Sequence, residues 1–171
     1  METWDAITGR RNVREFSDRT IATDDLDRIL EAGRRSPSSM NEQPWEFIVV
    51  TERVWLEALA DVWQYGGHIA GAAAAVALLS PASEDAGARE TFAFDLGQAG
   101  MSMMLAAADL GIGSCHSAIG DQAVARGVLG FPEDRECVII LSLGYPAGRP
   151  LAPIASPNRR AFDDVVHRER W

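Results

Sequence analysis

The sequence predicts one α+β domain over residues 1–171, in which helices flank a central β-sheet. Apolar residues make up 47% and charged residues 24% of the chain, a balance that is typical of a globular protein. Segments with helical and strand-like patterns alternate irregularly, which favours an α+β arrangement over a regular βαβ repeat. No linker, internal repeat or low-complexity segment interrupts the sequence, so the length is that of a single domain.

The first elements are predicted to be a short N-terminal turn, a helix and a strand. Trp4 starts an amphipathic turn. Thr23 has the character of an N-cap. The helix it begins should end near Arg34, because the residue before Pro37 is driven out of the helical region. Residues 45–50 are β-branched and aromatic, which predicts a strand.

The middle of the chain is predicted to contain two helices around a buried strand. Residues 54–63 place apolar side chains on one helical face. Residues 73–79 suit a buried strand or a buried helix, and the Ser-Pro pair that follows favours the strand. Residues 80–88 are expected to form a loop. Residues 90–110 should form a long, buried helix that ends at Gly111.

The last third of the chain is predicted to contain a helix, a strand and a final short helix. The carboxylate of Asp121 is expected to cap a helix that runs to Leu129. Residues 137–143 indicate a buried strand, and residues 144–146 form the turn that leads out of it. Residues 160–167 are expected to form the final short helix.

Composition excludes several classes of protein. All 16 basic residues are Arg and the formal net charge is -9, so nucleic acid and anionic membranes are not expected as partners. Without Lys the chain has neither a Lys Schiff base nor a P-loop of the usual form. Cys115 and Cys137 make no disulfide framework, and the spacing of His and Cys does not suit zinc, so no metal site is expected.

The protein is expected in the cytoplasm of a bacterium. The acidic start of the chain lacks the features of a signal peptide, and the longest apolar run, residues 69–79, is too short to span a bilayer. Abundant Ala and the absence of Lys are typical of a GC-rich bacterial genome.

Arg10, Arg11, Asn12 and Arg14 form the first candidate site. On a helix, Arg10 and Arg14 would be neighbours, and two like charges there repel unless an anion lies between them. Guanidinium groups bind the oxygens of phosphate in pairs. The cluster is therefore either an anion site or a solvated surface stripe.

Two further segments carry polar side chains. Residues 36–45 combine two prolines with short hydroxyl and amide side chains, which suit either a flat heterocycle or a capped turn. Residues 110–118 follow a helix and lack the third glycine of a dinucleotide fingerprint, so they are not interpreted as one. Cys115 and His116 are neighbours on an extended segment and should point to opposite faces, which predicts a buried, structural Cys115.

Five segments of the sequence, in this order, resemble the nitroreductase family of FMN enzymes and together cover nearly the whole chain. The most specific is Ser36-Pro37-Ser38-Ser39-Met40-Asn41-Glu42-Gln43-Pro44-Trp45. The resemblance implies a nitroreductase-like α+β fold with a mixed sheet. It also implies an intertwined homodimer with FMN sites at the subunit interface. The segments are residues 9–16, 36–47, 110–115, 143–146 and 159–171.

The resemblance also implies roles for individual residues. Arg10 and one of Arg159 and Arg160 would hold the FMN phosphate. Asn12 would bond near the ribityl chain and the ring, and Arg14 would lie at the pyrimidine edge of the flavin.

Other parts of the flavin site are implied to come from three further segments. Residues 37–41 would be supplied by the partner subunit, Gln64 falls where relatives often carry a flavin-binding Asn, and the backbone of residues 117–119 would face the N5 side of the ring. The full set of cofactor-binding residues is Arg10, Arg11, Asn12, Arg14, Pro37, Ser38, Ser39, Asn41, Gln64, Ser117, Ala118, Ile119, Arg159 and Arg160.

The chemistry implied by the resemblance is carried by FMN and needs no catalytic side chain. NADH or NADPH would reduce the flavin and leave before a nitroaromatic, a quinone or another electron-poor acceptor enters, in a ping-pong mechanism. The Arg14 cation would stabilise the negative charge of reduced FMN. Residues 80–89 are too few for a lid helix. One face of the flavin should therefore be open, which predicts loose substrate preference or a large substrate.

Two alternatives stay open. An FMN-binding or storage protein would hold the flavin without nicotinamide-driven turnover. A flavin enzyme of the same fold would catalyse another reaction, such as dehalogenation, azoline oxidation or flavin destruction. Asn12, His116 and Ala118 depart from the usual family residues. The sequence leaves open whether Cys115 or His116 contacts the substrate and whether NADH or NADPH is preferred.

Overall fold

A four-stranded antiparallel sheet with the strand order β1-β2-β4-β3 lies at the centre of the fold. The computed structural model describes residues 1–171. The strands are β1 (Glu46–Val50), β2 (Ala74–Pro81), β3 (Gly113–Ser117) and β4 (Arg135–Gly144). The helices are α1 (Thr3–Gly9), α2 (Thr23–Arg34), α3 (Arg53–Leu59), α4 (Ala86–Asp109) and α5 (Gln122–Leu129). Short 3₁₀ segments span Ser39–Asn41, Ala60–Val62, Gly66–Ile69 and Phe162–Asp164.

The central strands β2 and β4 pair along their whole shared length. The register runs from Ala74 opposite Leu143 to Pro81 opposite Arg135, with one irregularity after Leu78. Every residue of β2 except the last is buried, because helices cover both faces of the sheet. The prediction of a buried strand at residues 73–79 is therefore confirmed, and the alternative of a buried helix is excluded.

The sheet separates two apolar layers, because alternate residues of a strand point to opposite faces. Ala74, Val76 and Leu78 pack with apolar side chains of α2 and α4 on one face. The residues between them pack with α3 and α5 on the other face. Helices flanking a central sheet were predicted, and the structure confirms this arrangement.

Strand β3 is an edge strand, and its free edge meets the segment that follows α1. Asn12 forms a parallel bridge with Ser114, and the Val13 N–H donates to the Ser114 carbonyl at 2.9 Å. The four strands pair antiparallel with one another, and this isolated bridge adds a parallel contact at the edge of the sheet. The strand at residues 113–117 was not among the predicted elements, because its Gly, Ser, Cys and His residues lack a β-branched pattern.

The start of the long helix was predicted four residues too late. Residues 90–110 were expected to be helical, but α4 already begins at Ala86. The Asp85 carboxylate accepts hydrogen bonds from the backbone N–H groups of Gly87 and Ala88 at 3.2 and 3.3 Å and so caps the helix. The expected loop over residues 80–88 is correspondingly reduced to residues 82–85.

Three other expectations were wrong in their details. The helix predicted for residues 54–63 ends at Leu59 and continues only as a 3₁₀ turn. Thr23 is the first residue of α2 rather than its cap, and no side chain caps that end. Residues 160–167 contain only a 3₁₀ turn. All residues from 155 to 171 are exposed, so no packing stabilises a short helix there.

Two predicted helix ends are confirmed. Gly111 follows α4 with a φ of +73°, a left-handed conformation that favours glycine. Asp121 caps α5 by accepting hydrogen bonds from the N–H groups of Ala123 and Val124 at 2.8 and 3.1 Å. Among the helices, none combines the length and the apolar character that a membrane span requires.

Candidate active site

The segment from Arg10 to Arg14 is extended rather than helical, which corrects the expected helical neighbourhood of its arginines. Helix α1 ends at Gly9, and Arg10 has extended backbone angles of -65° and 128°. Arg10 and Asn12 therefore lie on the same side, and the Arg10 guanidinium donates to the Asn12 side-chain oxygen at 3.1 Å.

Two glycines, at the start of β3 and at the end of β4, allow this segment to lie directly against the sheet. A Cβ atom on Gly113 would be 2.7 Å from Val13 Cγ2, and one on Gly144 would be 2.8 Å from Phe16 Cδ1. Any larger residue at either position would push the segment away. The close approach places the arginines at the free edge of β3.

Arg10 and Arg159 line one small cleft of about 190 Å³ with Thr8 and three apolar residues. A hydrogen bond from the Ile154 N–H to the Thr8 carbonyl, 3.1 Å long, holds the chain before Arg159 against α1. Arg160 instead donates to the Asp164 carbonyl at 2.8 Å. The cleft contains two cations and no carboxylate, which is the charge balance that a phosphate requires.

A second cleft of about 280 Å³ lies at the end of β3. Its lining combines one cation, Arg14, with flat aromatic side chains and imidazoles, and Trp63 and Tyr65 meet edge to face with ring centroids 5.8 Å apart. This lining suits a flat heterocycle that carries polar atoms at its edge. The lining residues are Arg14, Trp63, Tyr65, His68, His116, Ser117 and Ala118, and we call this the ring cleft.

His68 connects the ring cleft to the buried sheet. Its Nδ1 atom lies 2.8 Å from Ser142 Oγ on β4, and Ser142 Oγ donates to the Cys115 carbonyl at 3.2 Å. Burial lowers the pKa of His68, and the charges of Arg14 and His116 lower it further. The imidazole is therefore neutral at neutral pH.

A third and larger cleft, of about 360 Å³, adjoins the ring cleft at Arg14. It is lined by residues 11–15 and by Pro146, Gly148 and Arg149. The Arg11 guanidinium donates to the Arg149 carbonyl at 2.6 Å, and burial followed by the nearby Arg149 charge lowers the pKa of Arg11. Sequence analysis missed Arg149, because a lone Arg beside a turn carries no distinctive signal.

The loop over residues 37–41 lies elsewhere in the chain's own fold and lines neither of the clefts that contain Arg14. Its Ser39 is held by Asp95, a buried carboxylate on α4. Met40 and Asn41 both have positive φ, at 51° and 59°, so the loop holds a conformation that these residues rarely adopt. Sequence analysis missed Asp95, because the acid occurs within an otherwise apolar helix.

The remaining predicted residues are dispersed. Gln64 is exposed and does not line the ring cleft, although both of its neighbours do. Ser117 and Ala118 line that cleft, whereas Ile119 lies in a separate cleft beside Gln122 and Cys137. The assignment of these residues to a cofactor stays a prediction.

The neighbours Cys115 and His116 point in opposite directions, as predicted for an extended segment. Cys115 is fully buried, and burial raises the pKa of its thiol. His116 is exposed and lines the ring cleft. The predicted structural Cys115 is confirmed, because a thiol of this kind is a poor nucleophile. No group of three or more His, Cys, Asp or Glu side chains is placed to hold a metal ion.

The sequence and the fold both match known proteins. The model of the Nitroreductase family matches residues 7–66 and 57–145. A protein of Archaeoglobus fulgidus, provisionally named NADH dehydrogenase/NAD(P)H nitroreductase, is 32% identical over 96% of this chain and 96% of its own length.

Solved structures show the same fold at lower identity. A provisionally named NADH oxidase from Clostridium acetobutylicum superposes with a TM-score of 0.86 at 23% identity, over 98% of this chain and 100% of its own. An FMN-dependent nitroreductase from Clostridium difficile superposes with a TM-score of 0.84 at 24% identity, over 97% of this chain and 98% of its own.

Proposed function

Because the chain belongs to the nitroreductase family of oxidoreductases, we propose that it binds FMN and transfers electrons from NADH or NADPH to an electron-poor acceptor. Nitroaromatic compounds and quinones are the acceptor classes we propose. The observation that carries the proposal is the placement of Arg14 in the ring cleft, with Arg10 and Arg159 together in a second, cationic cleft.

The two clefts fit the two chemically distinct parts of FMN. Arg10 and Arg159 supply paired donors for the phosphate, and no carboxylate competes with it in their cleft. The ring cleft supplies aromatic surfaces and a cation for the flat heterocycle. When bound, FMN would supply the electron-transfer chemistry.

The protein's own residues orient the cofactor and balance its charge. Arg14 favours negative charge at the pyrimidine edge of the ring, and Asn12 is placed beside Arg10 to bond toward the ribityl chain. Ser117 and Ala118 also line the ring cleft, and their backbone is proposed to face N5. Arg11 lies outside both clefts, in the larger cleft with Arg149, and is proposed to contact the cofactor at its outer edge.

A homodimer is proposed to complete the site, with residues 37–41 supplied by the partner subunit. Two features support it. The loop is exposed yet held in a strained conformation, with Met40 92% exposed at its tip. Large apolar side chains are exposed on α4 and in the C-terminal segment, and their burial on association would stabilise a dimer. They include Phe94, Met101, Phe162 and Trp171.

The openness of the site supports ping-pong exchange as the proposed mechanism. Only residues 82–85 join β2 to α4, so no helix of the chain separates two binding positions for donor and acceptor. We propose that the two occupy the same position in turn. The reaction is proposed to occur in the cytoplasm, since both cysteines are free thiols, which is usual in a reducing compartment.

Anaerobic reduction tests the proposal. The purified protein, reconstituted with FMN, is mixed separately with NADH and NADPH, and the flavin absorbance is followed before a quinone or a nitroaromatic compound is added. Bleaching by either nucleotide and recovery on adding the acceptor would support the proposal. Flavin bands that persist with both nucleotides would indicate a storage protein, and failure to bind FMN would exclude a flavin function. An Arg10→Ala/Arg159→Ala double variant should show neither bleaching nor turnover.

Sedimentation tests the shared site. The flavin-bound protein should sediment as a dimer, whereas a stable flavin-bound monomer would contradict a contribution from the partner subunit.

A further inference from the structure

His68 has a hydrogen-bonding role that its buried neighbours determine. It belongs to the 3₁₀ turn Gly66–Ile69, and its Nδ1 lies 2.8 Å from Ser142 Oγ. The Ser142 hydroxyl has only one hydrogen, which it donates to the Cys115 carbonyl, a group that can only accept. Ser142 Oγ therefore accepts from His68, and the proton of the imidazole lies on Nδ1.

The other ring nitrogen of His68 is consequently an acceptor. A neutral imidazole carries one N–H, so with the proton on Nδ1 the Nε2 atom presents a lone pair. No protein group donates a hydrogen bond to Nε2. The atom is also not one of the buried polar atoms that lack a partner, so it is accessible from outside the core. Since His68 lines the ring cleft, this lone pair is available to a ligand there.

His68 and Arg14 together offer complementary hydrogen-bonding groups. A guanidinium has only donors, so Arg14 can bind the carbonyl oxygens of a heterocycle but not its N–H. The His68 lone pair can bind an N–H but not a carbonyl. An imide edge, in which an N–H lies between two carbonyls, needs both kinds of partner.

We propose that His68 Nε2 accepts the N3–H of the flavin pyrimidine ring while Arg14 donates to an adjacent carbonyl of the same edge. This proposal rests on the proposed binding of FMN. It gives His68 a polar contact of the kind that the resemblance implied for Gln64, which is exposed and does not line the ring cleft. A ligand whose imide nitrogen carries an alkyl group instead of hydrogen lacks the donor that His68 recognises.

A binding cycle with two ligands and three proteins tests the contact. Dissociation constants of FMN and N3-methyl-FMN are measured by flavin fluorescence for the wild type, for His68→Ala and for Gln64→Ala, which tests the competing assignment. The wild type should bind FMN about tenfold more tightly than the methylated form, as expected for one lost hydrogen bond and an unsatisfied acceptor. His68→Ala should discriminate less than threefold, because it removes the acceptor and leaves room for the methyl group. Gln64→Ala should discriminate as the wild type does.

Nitrogen NMR of the imidazole provides a readout that does not depend on any variant. Protein labelled with ¹⁵N at histidine should show His68 protonated on Nδ1 in the free state, and the Nε2 signal should shift when FMN is added. A proton on Nε2, or equal affinity of the wild type for both ligands, would overturn the assignment while leaving FMN binding intact. Failure of the wild type to bind FMN would overturn both this inference and the proposed function.

Discussion

Ser39 donates its backbone N–H to both carboxylate oxygens of Asp95, at 3.1 and 3.0 Å, and its hydroxyl to one of them at 3.3 Å. Asp95 is only 1% exposed, and a buried carboxylate is costly unless hydrogen bonds compensate it. The hydrogen bonds between Ser39 and Asp95 therefore hold the loop over residues 37–41 against the middle of α4. It fixes the loop that is proposed to complete the flavin site of the partner subunit.

Replacing Asp95 should destabilise the fold and loosen this loop. Asp95→Ala removes the three hydrogen bonds from Ser39 and a longer one from the Gln98 amide at 3.5 Å, and we expect a loss of about 1.5–3 kcal/mol in the free energy of unfolding. Asp95→Asn keeps an acceptor oxygen and should lose less. Urea unfolding measures both, with the exposed Asp61→Ala as a control that should stay within about 0.5 kcal/mol of the wild type. A stability of Asp95→Ala equal to that of the control would refute the role of Asp95.

Of the two neighbouring arginines in the C-terminal segment, we expect Arg159 but not Arg160 to contact the phosphate of FMN. Arg10→Ala and Arg159→Ala should each weaken FMN binding by on the order of 1.5–3 kcal/mol, because each removes a charged hydrogen-bond donor. Arg160→Ala should leave the affinity nearly unchanged, since Arg160 bonds within its own segment. Equilibrium dialysis against FMN measures all three variants. A larger loss for Arg160→Ala than for Arg159→Ala would reverse the assignment.

Arg14 should tune the flavin's reduction potential more than its affinity. Replacing it with Gln keeps a hydrogen-bond donor but removes the cation that favours the negatively charged, reduced cofactor. The two-electron midpoint potential should fall by about 30 mV for each 1.4 kcal/mol of lost stabilisation. Potentiometric titration of Arg14→Gln beside Arg170→Gln, a variant in the exposed tail, measures the difference. An unchanged potential in Arg14→Gln would exclude this role.

His68 should make the stability of the apoprotein depend on pH. Its pKa is held below the ordinary value of 6.5 by burial, then by Arg14 and His116. In the window between the lowered pKa and 6.5, the unfolded chain binds more protons than the folded one, so stability rises with pH. The contribution of neutral His68 is complete above pH 6.5 and is lost as the pH falls through the folded pKa.

Urea unfolding at pH 5 and pH 7.5 measures this dependence. The difference in stability between the wild type and His68→Gln should be larger at pH 7.5. The matched control His167→Gln, in the exposed tail, should show no such change. If the difference is the same at both values of pH, His68 is not held neutral by the fold.

Local sequence patterns determined the helices, the buried strands and several of their ends. Asp121, Gly111 and the apolar run in β2 act within one element, through a cap, a left-handed turn or continuous burial, so their effect can be derived from a few neighbouring residues. The cluster around Arg10 and the Ser-Pro-Ser-Ser segment were likewise visible as a resemblance. The edge strand β3 was not predicted, because its residues have low strand propensity. Its pairing with β4 and with Asn12 stabilises it instead.

The sequence by itself determined the α+β architecture and the resemblance to a flavoprotein family, and it singled out the cluster of N-terminal arginines as a candidate site. Only the tertiary structure decided that Arg159 rather than Arg160 joins Arg10, and that Asp95 holds Ser39 across 56 residues. It also decided that His68 contacts Ser142, across 74 residues. The physical reason is that these contacts join segments far apart in the chain. Their geometry follows from the packing of the helices on the sheet, which no local pattern encodes.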